Sequence, residues 1–170
     1  MAKRQLFLKS MAALGAAQLL LAGCSLQPLY TGGGDGTIAR GLAAVEVPAI
    51  PGRAGWLMRN ALTERLSVAG SEAPKYRLDV RLDDDLQGLG VLADDTISRE
   101  RRTLRARYQL IELSSGSVLL DATAGSDAGI DVVSSEYATI AGEQKALENL
   151  SLELADQMVK RIALTLRNAS

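Results

Sequence analysis

Residues 76–83 read Tyr76-Arg77-Leu78-Asp79-Val80-Arg81-Leu82-Asp83, with apolar and charged side chains in strict alternation. Successive side chains of a strand point to opposite faces. The two-residue period therefore predicts a half-buried strand with Leu78, Val80 and Leu82 inward and the charges outward. Asp83 to Asp85, followed by Gly88 and Gly90, are expected to end it. The same period returns over about 97–113, where Leu104, Ala106, Tyr108 and Leu110 share one face and Arg99, Arg101, Thr103, Arg105 and Arg107 share the other. Arg102 falls on the apolar side. Ser114-Ser115-Gly116-Ser117 is then a turn, with Gly116 free to take a positive φ, and residues 118–125 return as a fourth strand. A loop this short joins antiparallel neighbours.

Upstream, residues 42–50 carry Val45, Val47 and Ile50 and close on Pro48 and Pro51, which predicts a short strand at a sheet edge, since proline cannot donate to a ladder. Folded structure is expected to begin near Leu42. Over 54–69 the period changes: Met58, Leu62, Leu66 and Ala69, flanked by Leu57 and Ala61, trace a helical stripe that Gly70 ends. From Ser135 a longer stripe, Leu147, Leu150, Leu154, Met158, Ile162 and Leu166, runs to about Arg167, with Ser134 or Ser135 placed to cap its start. The order β-α-β-β-β-α predicts an α+β two-layer sandwich, a four-stranded sheet with two helices on one face.

The chain has 170 residues, 47% of them apolar, with 19 basic against 20 acidic side chains. This is the profile of one globular domain. Histidine is absent and the only cysteine is Cys24, which removes Ser-His and Cys-His nucleophile pairs, Cys/His zinc sites and an intramolecular disulfide. No cofactor is indicated.

Residues 1–23 have the make-up of an export signal: Lys3, Arg4 and Lys9 precede a short apolar run from Met11 to Leu21. That run is about half the ~20 residues a membrane-spanning helix needs. It ends in Leu21-Ala22-Gly23-Cys24, which resembles the lipobox of bacterial lipoproteins. Small residues before Cys24 let a signal peptidase reach the bond, and the thiolate takes up diacylglycerol. Cys24 thus becomes the lipidated N-terminus, carrying S-diacylglycerol and an N-acyl chain. Ser25 stands where inner-membrane retention has Asp, so by resemblance to that sorting rule the destination is the outer membrane, with the domain on the periplasmic side. The domains expected are a cleaved signal over 1–23, a lipidated start and glycine-rich tether over 24–41, and the periplasmic α+β domain over 42–170. Cleavage removes three positive charges, leaving an acidic remainder that gives nucleic-acid binding no support.

The segment Cys24-Ser25-Leu26-Gln27-Pro28-Leu29-Tyr30 resembles the Cys-Gly-Phe-x-Pro-Leu-Tyr run of the LPS-assembly lipoproteins, the LptE family, with Ser25 and Leu26 departing from it. Arg59-Asn60 before Leu62, Ser114-Ser115-Gly116 at the turn and Glu136-Tyr137-Ala138 at the last helix follow in the same order. The resemblance implies a non-enzymatic protein. Such a protein sits as a plug in the outer-membrane β-barrel that translocates lipopolysaccharide, assists assembly of that barrel, and takes part in lipopolysaccharide transit. An accessory lipoprotein of another periplasmic lipid-transport system is the alternative, and a carboxylate-dependent hydrolase the enzymatic rival.

Arg99, Arg101, Arg105 and Arg107 lie on one strand face, and Arg77 and Arg81 with Asp79 and Asp83 on the polar face of its neighbour. If those faces coincide, six arginines meet two aspartates and pairing cannot neutralise them. Three readings compete: a solvated face, a site for lipid phosphates, whose geometry guanidinium forks match, or a surface against an acidic lumen wall. Asp83-Asp84-Asp85 and Asp94-Asp95 lack the spacing of a calcium loop, and no metal is expected. Trp56 starts the first predicted helix, where it packs on the sheet edge by default or anchors a partner.

Overall fold

The computed structural model of the chain describes residues 36–67, 70, 72–91 and 97–169. The expected export signal, Cys24 and the expected tether as far as Asp35 lie outside the described residues, as do Asp94 and Asp95. The elements are α1 (Thr37–Ala43), β1 (Val45–Glu46), α2 (Gly52–Leu66), β2 (Tyr76–Val91), β3 (Ile97–Glu112), β4 (Val118–Asp131) and α3 (Glu136–Ala169). The strands form one mixed sheet in the order β1-β2-β3-β4. β1 runs parallel to β2, and the β2/β3 and β3/β4 pairs are antiparallel. This is the expected α+β sandwich with one helix more.

The extra helix, α1, lies largely in residues read as tether. Ile38 and Leu42, four apart, with Ala39 between them, make one apolar turn, and Ala39 and Leu42 are buried. A single turn gives too few repeats for a periodicity to stand out. The strand expected over 42–50 contracts to Val45–Glu46, and Pro48 and Pro51 hold the following segment out of the ladder. β2 runs six residues past the aspartates expected to stop it, and β4 runs to Asp131 instead of Gly125. Charges do not end a strand whose outer face is open, because their side chains simply point to water or to partners across the ladder.

The core lies between the sheet and the helices. Met58 and Leu62 of α2, Leu78 of β2, Leu104, Tyr108 and Leu110 of β3, and Leu147, Leu154, Met158 and Ile162 of α3 are all almost completely buried. Burial raises the pKa of the Tyr108 phenol, with Arg161 opposing it. Ser151, also buried, donates to the Leu147 carbonyl one turn back at 2.8 Å, so its hydroxyl is not left unpaired. The local signals act as read: the Ala138 N–H donates to Ser135 Oγ at the start of α3, and Gly116 has φ 70° in the hairpin turn.

Gly55 sits in the first turn of α2, where a Cβ would stand 2.4 Å from the Ile50 carbonyl oxygen. Two effects oppose each other in Gly55→Ala. Alanine favours the helix by about 1 kcal/mol, whereas the clash forces the 47–50 segment off α2 and costs ~1–3 kcal/mol. The contact is to backbone, which cannot rotate away. We therefore expect net destabilisation, seen as a lower midpoint in chemical unfolding; a midpoint that rises would show the segment yields freely.

Candidate functional site

The helices cover the face of the sheet that carries Leu78, Leu104, Ala106, Tyr108 and Leu110. Alternation sends Arg77, Asp79, Arg81, Asp83 and Asp85 of β2 to the other, open face. The register brings them beside Arg99, Arg101, Arg105, Arg107 and Gln109 of β3, and those beside Asp121, Thr123, Gly125, Asp127, Gly129 and Asp131 of β4. All six arginines singled out in the sequence, Arg77, Arg81, Arg99, Arg101, Arg105 and Arg107, are thus on one surface.

That surface is not the uncompensated positive patch expected. Six aspartates share it, because Asp85 belongs to β2 and β4 supplies Asp121, Asp127 and Asp131. Arg99 Nε meets Asp131 at 3.1 Å, Arg101 Nε meets Asp127 at 3.6 Å, and Arg77 holds Asp79 through two bonds of 3.0 and 3.1 Å. Arg107 donates to both oxygens of Asp121, at 3.3 and 3.1 Å, and Gln109 adds a third bond at 2.8 Å. These hydrogen bonds, Arg107 first and Gln109 second, hold the Asp121 carboxyl below its usual pKa, and Asp121 in turn raises that of Arg107. Six arginines therefore do not meet only two aspartates: β4 pairs beside β3 with its own aspartates, all of one parity, turned to the same face.

Two arginines stand apart from this pairing. Among the described residues Arg81 and Arg105 make no ion pair: Arg81 lies opposite Arg107 on β3, and Arg105, with Gly125 opposite on β4 and Asp83 opposite on β2, is not within ion-pair distance of that carboxylate. Around them is a shallow hollow of about 510 Å³, lined by Arg81, Asp83, Arg105, Arg107, Thr123 and Gly125. A second hollow of about 400 Å³ adjoins it between β2 and the segment Pro48–Ile50, sharing Arg81 and Arg107. Two free guanidinium groups beside a third that is only partly engaged can bind an anion, while Asp83 limits the net charge offered.

The remaining candidates lie elsewhere. Arg102 is on the helix side, as its parity requires, where it forks onto Asp84 at 2.8 and 2.6 Å and donates to the Glu143 carbonyl at 3.1 Å. The Asp84 bond, against partial burial, raises its pKa further. It ties β2 and β3 to α3 and takes no part in the open face. Trp56 does not pack on the sheet edge; its side chain is 63% exposed on the first turns of α2. Asp83, Asp84 and Asp85 alternate between faces, and among the described residues no three carboxylates converge as a metal site.

The family model described as LptE, Lipopolysaccharide-assembly, matches residues 42–162. A putative lipoprotein from Caulobacter crescentus is similar in structure, with TM-score 0.66 and 21% identity over 79% of this chain and 98% of that one. The rare lipoprotein B of Shewanella oneidensis follows with TM-score 0.58 and 11% identity, over 74% of this chain and 96% of that one. A minor lipoprotein of Acinetobacter baumannii gives 0.56 and 16%, over 71% and 88%. At these identities the likeness is one of fold. No curated protein matches the chain significantly.

Proposed function

The chain belongs to the LptE, lipopolysaccharide-assembly, family, and from that premise we propose that it is an accessory subunit of the lipopolysaccharide translocon. It is an envelope lipoprotein with a part in lipopolysaccharide assembly. In this reading Cys24 carries the lipid and the outer membrane holds it. The α+β domain occupies the lumen of the translocating β-barrel on the periplasmic side, supporting its assembly and the passage of lipopolysaccharide without catalysing a reaction. The observation that carries the reading is the extent of the family match. Residues 42–162 take in all four strands, α2 and most of α3, so the likeness belongs to the whole domain and not to a shared signal peptide.

Depleting the chain from its native cell tests this. Lipopolysaccharide reaching the cell surface should fall several-fold while newly made lipopolysaccharide accumulates behind the outer membrane. Normal surface delivery in depleted cells would overturn the proposal.

Within this function, the open face offers lipid phosphates Arg81 and Arg105, while the paired arginines make a charge-balanced surface suited to a polar wall. Charge-assisted hydrogen bonds contribute about 1.5–3 kcal/mol each. Arg81→Glu combined with Arg105→Glu should therefore weaken lipopolysaccharide binding by tenfold or more at low salt, and by less as salt rises. Arg101→Glu should do less, since its guanidinium is already beside Asp127. Unchanged binding by the folded double variant would leave this face to the barrel wall or to solvent.

A further inference from the structure

The two edges of the sheet are treated differently. On one side β1 is two residues long, Pro48 and Pro51 follow it, and the uncovered part of β2 carries Asp83, Asp84 and Asp85. Short strands, prolines and charges are the usual means of keeping a sheet edge from pairing with another chain. On the other side β4 is 14 residues long and has neither proline, lysine nor arginine. Its only charged side chains are Asp121, Asp127 and Asp131, each turned inward to an arginine of β3. Among the described residues no strand lies beyond it.

The backbone of that edge can be read from the ladder. Val132 N–H donates to the Ser98 carbonyl at 3.1 Å in a register that places Arg99 opposite Asp131. In an antiparallel pair the residues facing the neighbour with both N–H and C=O alternate, so the even-numbered residues of β4 bond inward to β3. Residues 121, 123, 125, 127 and 129 therefore present their N–H and C=O groups outward. Among the described residues nothing pairs with them, and they form a template for a further strand.

We propose that the occupant is β4 of a second copy of this chain, joined antiparallel about a two-fold axis at Gly125. In this register Asp121 faces Gly129 and Thr123 faces Asp127. On the helix side Leu120 faces Ile130, Ala122 faces Ala128 and Ala124 faces Ser126. Apolar meets apolar at both ends, small residues meet in the middle, and no carboxylate opposes another. Sliding one copy by two residues sets Asp121 opposite Asp127 in one direction and opposite Asp131 in the other, and like charges directly opposite are unfavourable. A slide of one residue would set outward backbone groups against inward ones. The aspartates thus choose the register. About ten main-chain bonds join the copies, two for each facing pair, making an eight-stranded sheet with a self-complementary interface. The pairing concerns the chain alone and does not depend on its role in lipopolysaccharide assembly.

Sedimentation of the full chain, dilute in excess detergent micelles, tests it. The wild type should show a concentration-dependent monomer–dimer equilibrium. Thr123→Pro removes one outward N–H and leaves the ladder to β3 intact, so it should weaken the dimer at least tenfold. Gly129, where a Cβ meets nothing within 4 Å, gives a second and gentler probe. Gly129→Asp, facing Asp121, should weaken the dimer and Gly129→Lys should tighten it, both with an unchanged circular dichroism spectrum. A wild type that stays monomeric, as it would if the edge serves a strand of another protein, overturns the proposal. So does association indifferent to both Thr123→Pro and the charge at 129, which would place the contact in the lipid or on another surface.

Discussion

Leu154→Ala is expected to remove about 2–5 kcal/mol of folding stability, the range for truncating a fully buried leucine. Leu154 has no solvent exposure and belongs to the single cluster that joins α2, α3 and the covered face of the sheet. The open face has no comparable apolar cluster to share the load, since among the described residues the helices cover one side of the sheet. Against a typical total of about 5–15 kcal/mol, the loss is a large fraction. At a few degrees per kcal/mol for a domain of this size, the melting temperature should fall on the order of ten degrees. Leu164→Ala on the same helix is the control. With 40% exposure it should cost well under half as much. Equal effects of the two substitutions, read by thermal denaturation, would mean that α3 does not face the sheet as described.

The other large effect concerns Cys24→Ser. Each acyl methylene contributes about 0.8 kcal/mol to anchoring, and stable attachment takes more than one chain. The three chains expected on Cys24 are therefore ample, and among the described residues no helix is long and apolar enough to cross a membrane. The serine variant should lose the acyl mass on its N-terminal peptide and disappear from the outer-membrane fraction of a density gradient. Retention there at the wild-type level would show that attachment does not depend on the lipid.

The parts legible in the sequence were those where one period repeats several times. The alternation of Tyr76 to Asp83 and of Leu104 to Leu110 placed β2 and β3, and six apolar residues from Leu147 to Leu166 placed α3, because each records a face buried against one continuous core. Element ends were harder to read. Asp83 to Asp85 look like a stop, yet Asp84 is satisfied by Arg102 across the ladder, a partner 18 residues away that no local rule could supply. α1 was missed since Ile38, Ala39 and Leu42 make a single turn whose stability comes from packing rather than from propensity. The arginines were located correctly, but their chemistry depends on register. Only the pairing of β3 with β4 shows Asp121, Asp127 and Asp131 beside Arg107, Arg101 and Arg99, and so sets them apart from Arg81 and Arg105, which make no ion pair among the described residues. Packing on the sheet edge is the default expectation for Trp56, with a partner anchor as the alternative. Its exposure on the first turns of α2 makes it a candidate anchor for a partner.

Affinity purification of the tagged, lipidated chain from detergent-solubilised membranes, with mass spectrometry of whatever co-purifies in stoichiometric amount, tests the central claim most directly. Membership of a translocon predicts one large outer-membrane β-barrel protein as the main partner. Recovery of an inner-membrane or soluble transport component in its place, or of no stoichiometric partner other than the chain itself, would contradict it.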